Sequence, residues 1–123
     1  MDDLVRGLTA QNGEKWDNIF SEDVLNHLFE AFPNRGGLDL VALNIQRGRD
    51  HGITGYNAYR EVCGIGKARN FDDLTDFISP TDIEKLKKNY DSVDDIDLYV
   101  GKLAFKNFET KCNVYQIFFF VHF

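Results

Sequence analysis

The chain has 123 residues, with 14 basic and 20 acidic side chains and a net charge of −6. This length allows one domain with a modest core. Because no basic run or patch offsets the negative charge, the sequence argues against nucleic acid and anionic membranes as partners. No apolar run approaches the roughly 20 residues of a membrane-spanning helix. The acidic start at Met1 also lacks the apolar core of a signal peptide, so none is expected.

The first half of the chain is predicted to be helical. Three apolar residues share one face of an opening helix: Leu4, Val5 and Leu8. Ser21 is a good N-cap for a second helix, whose apolar stripe runs through residues 24–29 until the turn at 33–37. Residues 38–50 are apolar around more than a narrow stripe, which predicts a helix buried on most sides.

The second half is predicted to continue helix after helix. A short helix over residues 56–63 is expected to end at Gly64. Residues 79–90 open with Ser-Pro-Thr-Asp, a strong helix start with serine as N-cap and proline in the first turn. A final acidic helix is predicted over residues 92–99, ending at Gly101.

The last ten residues, VYQIFFFVHF, differ from the rest. They are aromatic and β-branched and contain neither charge nor proline. This composition fits an aggregation-prone strand, and it fits a core strand equally well, because periodicity does not separate the two. The predicted fold class is therefore mainly α, with an irregular or strand-like tail.

The histidines and cysteines form no recognisable metal or catalytic motif. His27 is expected to be a surface or half-buried residue, His51 is expected at a helix end in a capping role, and His122 lies in the tail. Cys63 and Cys112 are far apart with no CxxC, which supports neither a zinc site nor a disulfide framework. The acidic runs also lack the glycine and terminal glutamate of an EF-hand, so no calcium site is predicted.

The densest polar cluster lies in an apolar setting, at residues 43–52 (LNIQRGRDHG). In one interpretation it is a solvated helix end, with Asp50 bonded to Arg47 or Arg49. In the other, Asn44 and Arg47 lie one turn apart on one helix face and meet a buried charged ligand. Burying so many polar groups requires a partner for each of them.

The string GLDLVALNIQRGRDHGITGYNAYREVCG, residues 37–64, resembles the animal haem peroxidase family. The resemblance extends to FSEDVLNHLFE before it and to LKKNYDSVDDIDLYVG after it. It implies that residues 1–103 are a C-terminal part of an all-helical peroxidase domain and hold its proximal-side helices. Residues 104–123 would then be a divergent apolar tail, through which self-association is expected.

The resemblance implies haem as the cofactor. In the family, hydrogen peroxide oxidises the haem iron, which then takes electrons from a small reducing substrate. Asn44 matches the asparagine that accepts the N–H of the proximal histidine, and Arg47 matches the arginine that pairs with a haem propionate. Leu40 and Leu43 fall where the family lines the proximal side of the pocket with apolar side chains.

The resemblance also implies what these residues lack. The proximal and distal histidines, the distal arginine and the calcium-binding loop lie upstream of the matching segment, and no histidine here matches a catalytic one. The resemblance therefore predicts that the chain derives from a secreted, haem-dependent peroxidase. The chain on its own is expected to be inactive. The alternative is a non-catalytic helical remnant that binds a protein partner. Because the family partner of Cys63 is missing, free thiols are expected at Cys63 and Cys112.

Overall fold

The computed structural model describes residues 2–12, 17–31 and 36–105. Its helices are α1 (Asp2–Ala10), α2 (Glu22–Leu25), α3 (Leu40–Asp50), α4 (Tyr56–Val62), α5 (Pro80–Asn89) and α6 (Leu98–Leu103). Two short 3-10 helices, Phe71–Leu74 and Val93–Asp95, precede α5 and α6. Within these ranges there are only isolated β-bridges, which pair Leu28 with Leu38 and Ile78 with Phe105. The predicted mainly α fold is confirmed, and the predicted strand-like tail after Phe105 lies outside the described residues.

Side-chain caps determine where the two best-defined helices begin. The Asp39 carboxylate accepts hydrogen bonds from the backbone N–H groups of Val41 (2.8 Å) and Ala42 (3.1 Å), so α3 begins at Leu40 rather than at residue 38. The Ser79 hydroxyl accepts from the backbone N–H of Asp82 at 3.0 Å, which confirms the predicted start of α5.

The apolar stripe over residues 24–29 does not form one long helix, so that prediction was wrong. α2 ends at Leu25 because the returning chain takes the next backbone carbonyls. The N–H of Gly37 donates to Asn26 O at 2.7 Å, and the N–H of Leu38 donates to Leu28 O at 2.9 Å.

The predicted acidic helix over residues 92–99 was also wrong. The chain forms the 3-10 helix there, and α6 follows with Gly101 inside it. The Ile96 carbonyl accepts the N–H of Tyr56 at 2.8 Å, outside any helical pattern. Gly101 is buried against the Tyr56 ring, where an added Cβ would overlap the ring atoms. The glycine therefore permits close approach of α6 to α4 and does not end a helix.

Among the described residues, the buried apolar core lies between Tyr56 and Ile96. Its members are Tyr56, Ala68, Leu74, Ile78, Ile83, Leu86, Val93 and Ile96. No residue of α1, α2 or α3 is buried. The expectation that residues 38–50 form a helix buried on most sides was therefore wrong for this chain, because only α2 and α6 pack closely against α3 among the described elements.

Across the described ranges, no helix is long and apolar enough to cross a membrane.

Candidate functional site

One face of α3 holds all four residues that the sequence predicts for the site. Leu40, Leu43, Asn44 and Arg47 follow the i, i+3, i+4, i+7 spacing that places side chains on one side of a helix. The two leucines and Asn44 are half-buried, and Arg47 is exposed. The result is an apolar surface that carries one amide and one guanidinium.

A short chain of hydrogen bonds crosses from this face to α6. Arg47 Nη1 donates to Asn44 Oδ1 at 3.4 Å, a long contact, and Asn44 Nδ2 donates to Tyr99 Oη at 3.2 Å. Tyr99 lies 55 positions away in the sequence, and sequence reasoning missed it. Among the described residues, Arg47 forms no ion pair. Its positive charge is therefore not neutralised by a carboxylate from this part of the chain.

The end of α3 is fastened to α6 by a second polar group. Arg49 Nε and Nη2 donate to Asp97 Oδ1 and Oδ2 at 2.9 and 2.7 Å, and Tyr90 Oη donates to Oδ2 at 2.8 Å. Asp50 instead faces Gln46, whose Nε2 lies 3.5 Å from its Oδ1. The expected pairing of Asp50 with Arg47 or Arg49 was therefore wrong, because Asp97 offers Arg49 both carboxylate oxygens in fork geometry.

This group changes the titration of its members. The hydrogen bonds from Arg49 hold the pKa of Asp97 below its usual value, against the opposing effect of burial. Burial raises the pKa of Tyr90 to about 12, and the neighbouring Asp97 carboxylate adds to that rise. At neutral pH Arg49 is therefore a cation, Asp97 is an anion and Tyr90 is a neutral phenol.

A cleft of about 440 Å³ adjoins this group, lined by Arg49, Tyr90 and the carboxylates of Asp91, Asp94, Asp95 and Asp97. Within the described ranges, no group of three or more His, Cys, Asp or Glu side chains is arranged to hold a metal ion. The absence of a calcium site stays a prediction, since it concerns the family's loop.

The described histidines have local roles. The backbone N–H of His51 donates to Arg47 O at 3.0 Å, which places His51 at the end of α3 as predicted. A capping role for its imidazole stays a prediction. His27 is exposed, as predicted, and its Nδ1 lies 2.7 Å from Glu30 Oε2, whose hydrogen bond raises the pKa of the imidazole. Within the described ranges, neither ring forms a hydrogen bond with Asn44, and His122 lies outside those ranges.

Cys63 is disulfide-bonded, so the expectation of a free thiol there was wrong. That expectation relied on the loss of an evolved partner. A disulfide requires only that two cysteines approach to roughly 4.4–6.8 Å between Cα atoms. Cys112 lies outside the described residues.

Comparisons with known proteins agree on one family. The family model described as animal haem peroxidase matches residues 1–118, extending beyond Leu103. Peroxinectin A of Dictyostelium discoideum is 42% identical over 118 residues, covering 96% of this chain and 22% of the relative. Human thyroid peroxidase is 36% identical, with coverage of 96% and 13%. Among solved structures, peroxidase A of D. discoideum superposes with a TM-score of 0.73 at 40% identity, covering 96% of this chain and 24% of the other.

The chain thus spans about a quarter or less of the length of these relatives. The half-buried α3 face, with its amide and its guanidinium, lies within the matched region. This chain belongs to the animal haem peroxidase family.

Proposed function

We propose that this chain forms the supporting side of a haem site in an oxidoreductase that consumes hydrogen peroxide. The observation that carries the proposal is the face of α3. Two half-buried leucines adjoin a guanidinium that no described carboxylate neutralises. Haem has an apolar ring edged by anionic propionates. The two leucines fit the ring, and the guanidinium fits a propionate.

Each side chain has a distinct task in this proposal. Arg47 would hold a propionate through charge-assisted hydrogen bonds, for which its planar fork is well suited. Asn44 Oδ1 would accept the N–H of a histidine imidazole beside the haem, which would fix the tautomer of that ring and raise its basicity. Leu40 and Leu43 would exclude water from the same side. When bound, haem supplies the redox chemistry between peroxide and a small reducing substrate.

The described residues place no histidine against Asn44. We therefore propose that the chain by itself does not turn over. Purified chain with haem should oxidise guaiacol with peroxide no faster than free haem does. Turnover well above that background, abolished by Asn44→Ala, would contradict the proposal.

A haem titration tests the cofactor role directly. With imidazole added as a surrogate axial ligand, the wild-type chain should give a saturable Soret shift. Arg47→Ala should weaken haem binding about tenfold, as expected for loss of one charged hydrogen bond. Arg69→Ala is the matched control, because Arg69 is also exposed but lies outside α3. Equal affinities for all three proteins would rule out Arg47 as the propionate ligand.

We also propose an extracellular location, following the family resemblance. The disulfide at Cys63 supports it, since such bonds persist in oxidising compartments. Expression of the natural gene with a carboxyl-terminal tag should place the protein in the medium, and retention in the cytosol would contradict the proposal.

One observation favours the alternative of a non-catalytic interaction module. Large apolar side chains stand in solvent, Phe29 at 82%, Val62 at 81% and Leu8 at 76% exposed. Exposed apolar side chains bind other proteins where they form one contiguous patch. The same titration separates the two functions, because an interaction module gives no saturable Soret shift. Self-association through the tail stays a prediction, and most of the tail lies outside the described residues.

A further inference from the structure

We infer that Tyr99 is a positioning residue that fixes the side-chain amide of Asn44 with its carbonyl oxygen available to an imidazole N–H. The inference rests on the proposed function of Asn44. It adds a residue on a different helix, two positions before the buried Gly101.

The polarity of Arg47 determines the orientation of the Asn44 amide. Arginine has donors only, so the Asn44 atom that faces Arg47 Nη1 must be the oxygen. Nδ2 then faces Tyr99 Oη, which accepts its hydrogen. In a flipped amide the NH₂ group would face the Arg47 donor and that contact would be lost, whereas the Tyr99 hydroxyl could still donate to Oδ1.

This orientation leaves one acceptor position open. A carbonyl oxygen has two lone pairs, and Arg47 uses one of them through a long contact of 3.4 Å. The second lone pair of Oδ1 can accept an imidazole N–H. With the amide reversed, Nδ2 would meet that N–H donor to donor, and the hydrogen bond would be lost.

Tyr99 is better placed than Arg47 to keep the amide in position, although its hydroxyl, which both donates and accepts, does not select the amide orientation. The contact between Asn44 and Tyr99 is partly buried, whereas the contact with Arg47 is exposed. In the proposed function Arg47 is also drawn toward a propionate, which weakens its hold on Oδ1. Tyr99 has no competing partner among the described residues, so it holds the amide in place, while the donors of Arg47 and of an imidazole select Oδ1 on the opposite side.

The first test uses nitrogen-15 NMR of the full chain without haem. The Asn44 side-chain NH₂ signals are identified by their absence in Asn44→Ala. Tyr99→Phe should shift them and speed their exchange with solvent. Tyr59→Phe is the matched control, because Tyr59 is also half-buried on a helix but makes no side-chain hydrogen bond within the described residues. Unchanged Asn44 signals in Tyr99→Phe would overturn the inference.

The second test uses haem and imidazole with the same proteins. Imidazole should bind the haem-loaded wild-type chain about fivefold more tightly than Tyr99→Phe or Asn44→Ala, the range expected for one neutral hydrogen bond. The iron–imidazole stretching frequency should fall in both variants. If only Asn44→Ala differs from wild type, Tyr99 does not position the amide. If neither variant differs, the proposed function of Asn44 fails, and the haem-directed role of Tyr99 fails with it.

Discussion

Arg49 donates hydrogen bonds from Nε and Nη2 to Oδ1 and Oδ2 of Asp97, at 2.9 and 2.7 Å. These bonds connect the last turn of α3 to the residue that precedes α6. The hydrogen bond between Asn44 and Tyr99 is a second link between the same two helices. Since α3 has no buried residue, these polar links carry much of what holds it in place.

Asp97→Asn is therefore expected to release the end of α3. The thermal midpoint should fall, and the amides of α3 should exchange faster in a hydrogen-exchange experiment. Asp72→Asn is the control, because Asp72 bridges Lys87 with 81% of its side chain exposed, against 14% for Asp97. Exposed pairs contribute little to stability. Equal effects of the two substitutions would contradict a special role for Asp97.

Acid should weaken the fold through the same carboxylate. Arg49 lowers the pKa of Asp97 in the folded chain, so the stabilisation is present above the ordinary aspartate value of about 3.9. It is lost as the pH falls through the lowered folded value. Denaturant titrations between pH of about 5 and 2 should show a steeper loss for wild type than for Asp97→Asn. Parallel curves would show that the pair is not coupled to folding.

Alkali should reveal Tyr90 as a late-titrating phenol. Burial and the Asp97 carboxylate raise its pKa to about 12, from an ordinary value of about 10. The associated stabilisation is present below the ordinary value and is lost as the pH rises through the folded one. Burial also raises the pKa of Tyr56, so tyrosinate absorbance should show late titration of both phenols, and the Tyr90 share should be missing in Tyr90→Phe. An unchanged late amplitude in that variant would contradict the assignment to Tyr90.

Two glycines inside helices should respond in opposite ways to alanine. At Gly101 a Cβ would overlap the Tyr56 ring, so Gly101→Ala should cost about 1–3 kcal/mol through overpacking. At Gly48 of α3 nothing lies within 4 Å of an added Cβ. Gly48→Ala should therefore stabilise the chain by about 0.5–1 kcal/mol through reduced backbone entropy. Denaturant unfolding measures both changes, and a neutral Gly101→Ala would mean that α6 readily moves away from α4.

Protection from hydrogen exchange should divide the chain unevenly. The buried core lies between Tyr56 and Ile96 among the described residues, whereas α1, α2 and α3 contain no fully buried residue. Amides in α4 and α5 should therefore exchange slowest, and those of α1 fastest. Uniform protection along the chain would show that the first half is held by contacts beyond the described residues.

Local signals in the sequence predicted the elements they control. Ser79 caps α5, and Gly64 follows α4 with a positive φ of 71°, both as the sequence indicated. Short-range chemistry is sufficient for these two because a cap and a left-handed glycine act on their own turn. The family motif likewise placed Asn44 and Arg47 one turn apart on one helix, as the structure has them.

Long-range partners could not be predicted in this way. Tyr99 and Asp97 lie 55 and 48 positions from the residues that they contact, and no periodicity connects them. The predicted role of Gly101 as a helix end was wrong for the same reason. The sequence does not distinguish a glycine that ends a helix from one that packs against an aromatic ring. The burial of residues 38–50 was overestimated because apolar composition shows what a helix can bury, and not which elements cover it.

The contact of Gly101 with Tyr56 also limits how far α6 can move from α4 before the hydrogen bond between Tyr99 and Asn44 is lost. Tyr99 is carried on the same short helix, so any outward displacement of α6 lengthens its 3.2 Å contact with Asn44. Side-chain hydrogen bonds weaken beyond roughly 3.2 Å and are lost by about 3.6 Å. A shift of a few tenths of an ångström, far less than one methyl group, would disengage the amide. Because Gly101 has no side chain, α6 lies close enough to α4 for the Tyr99 hydroxyl, two residues earlier, to reach Asn44 on α3.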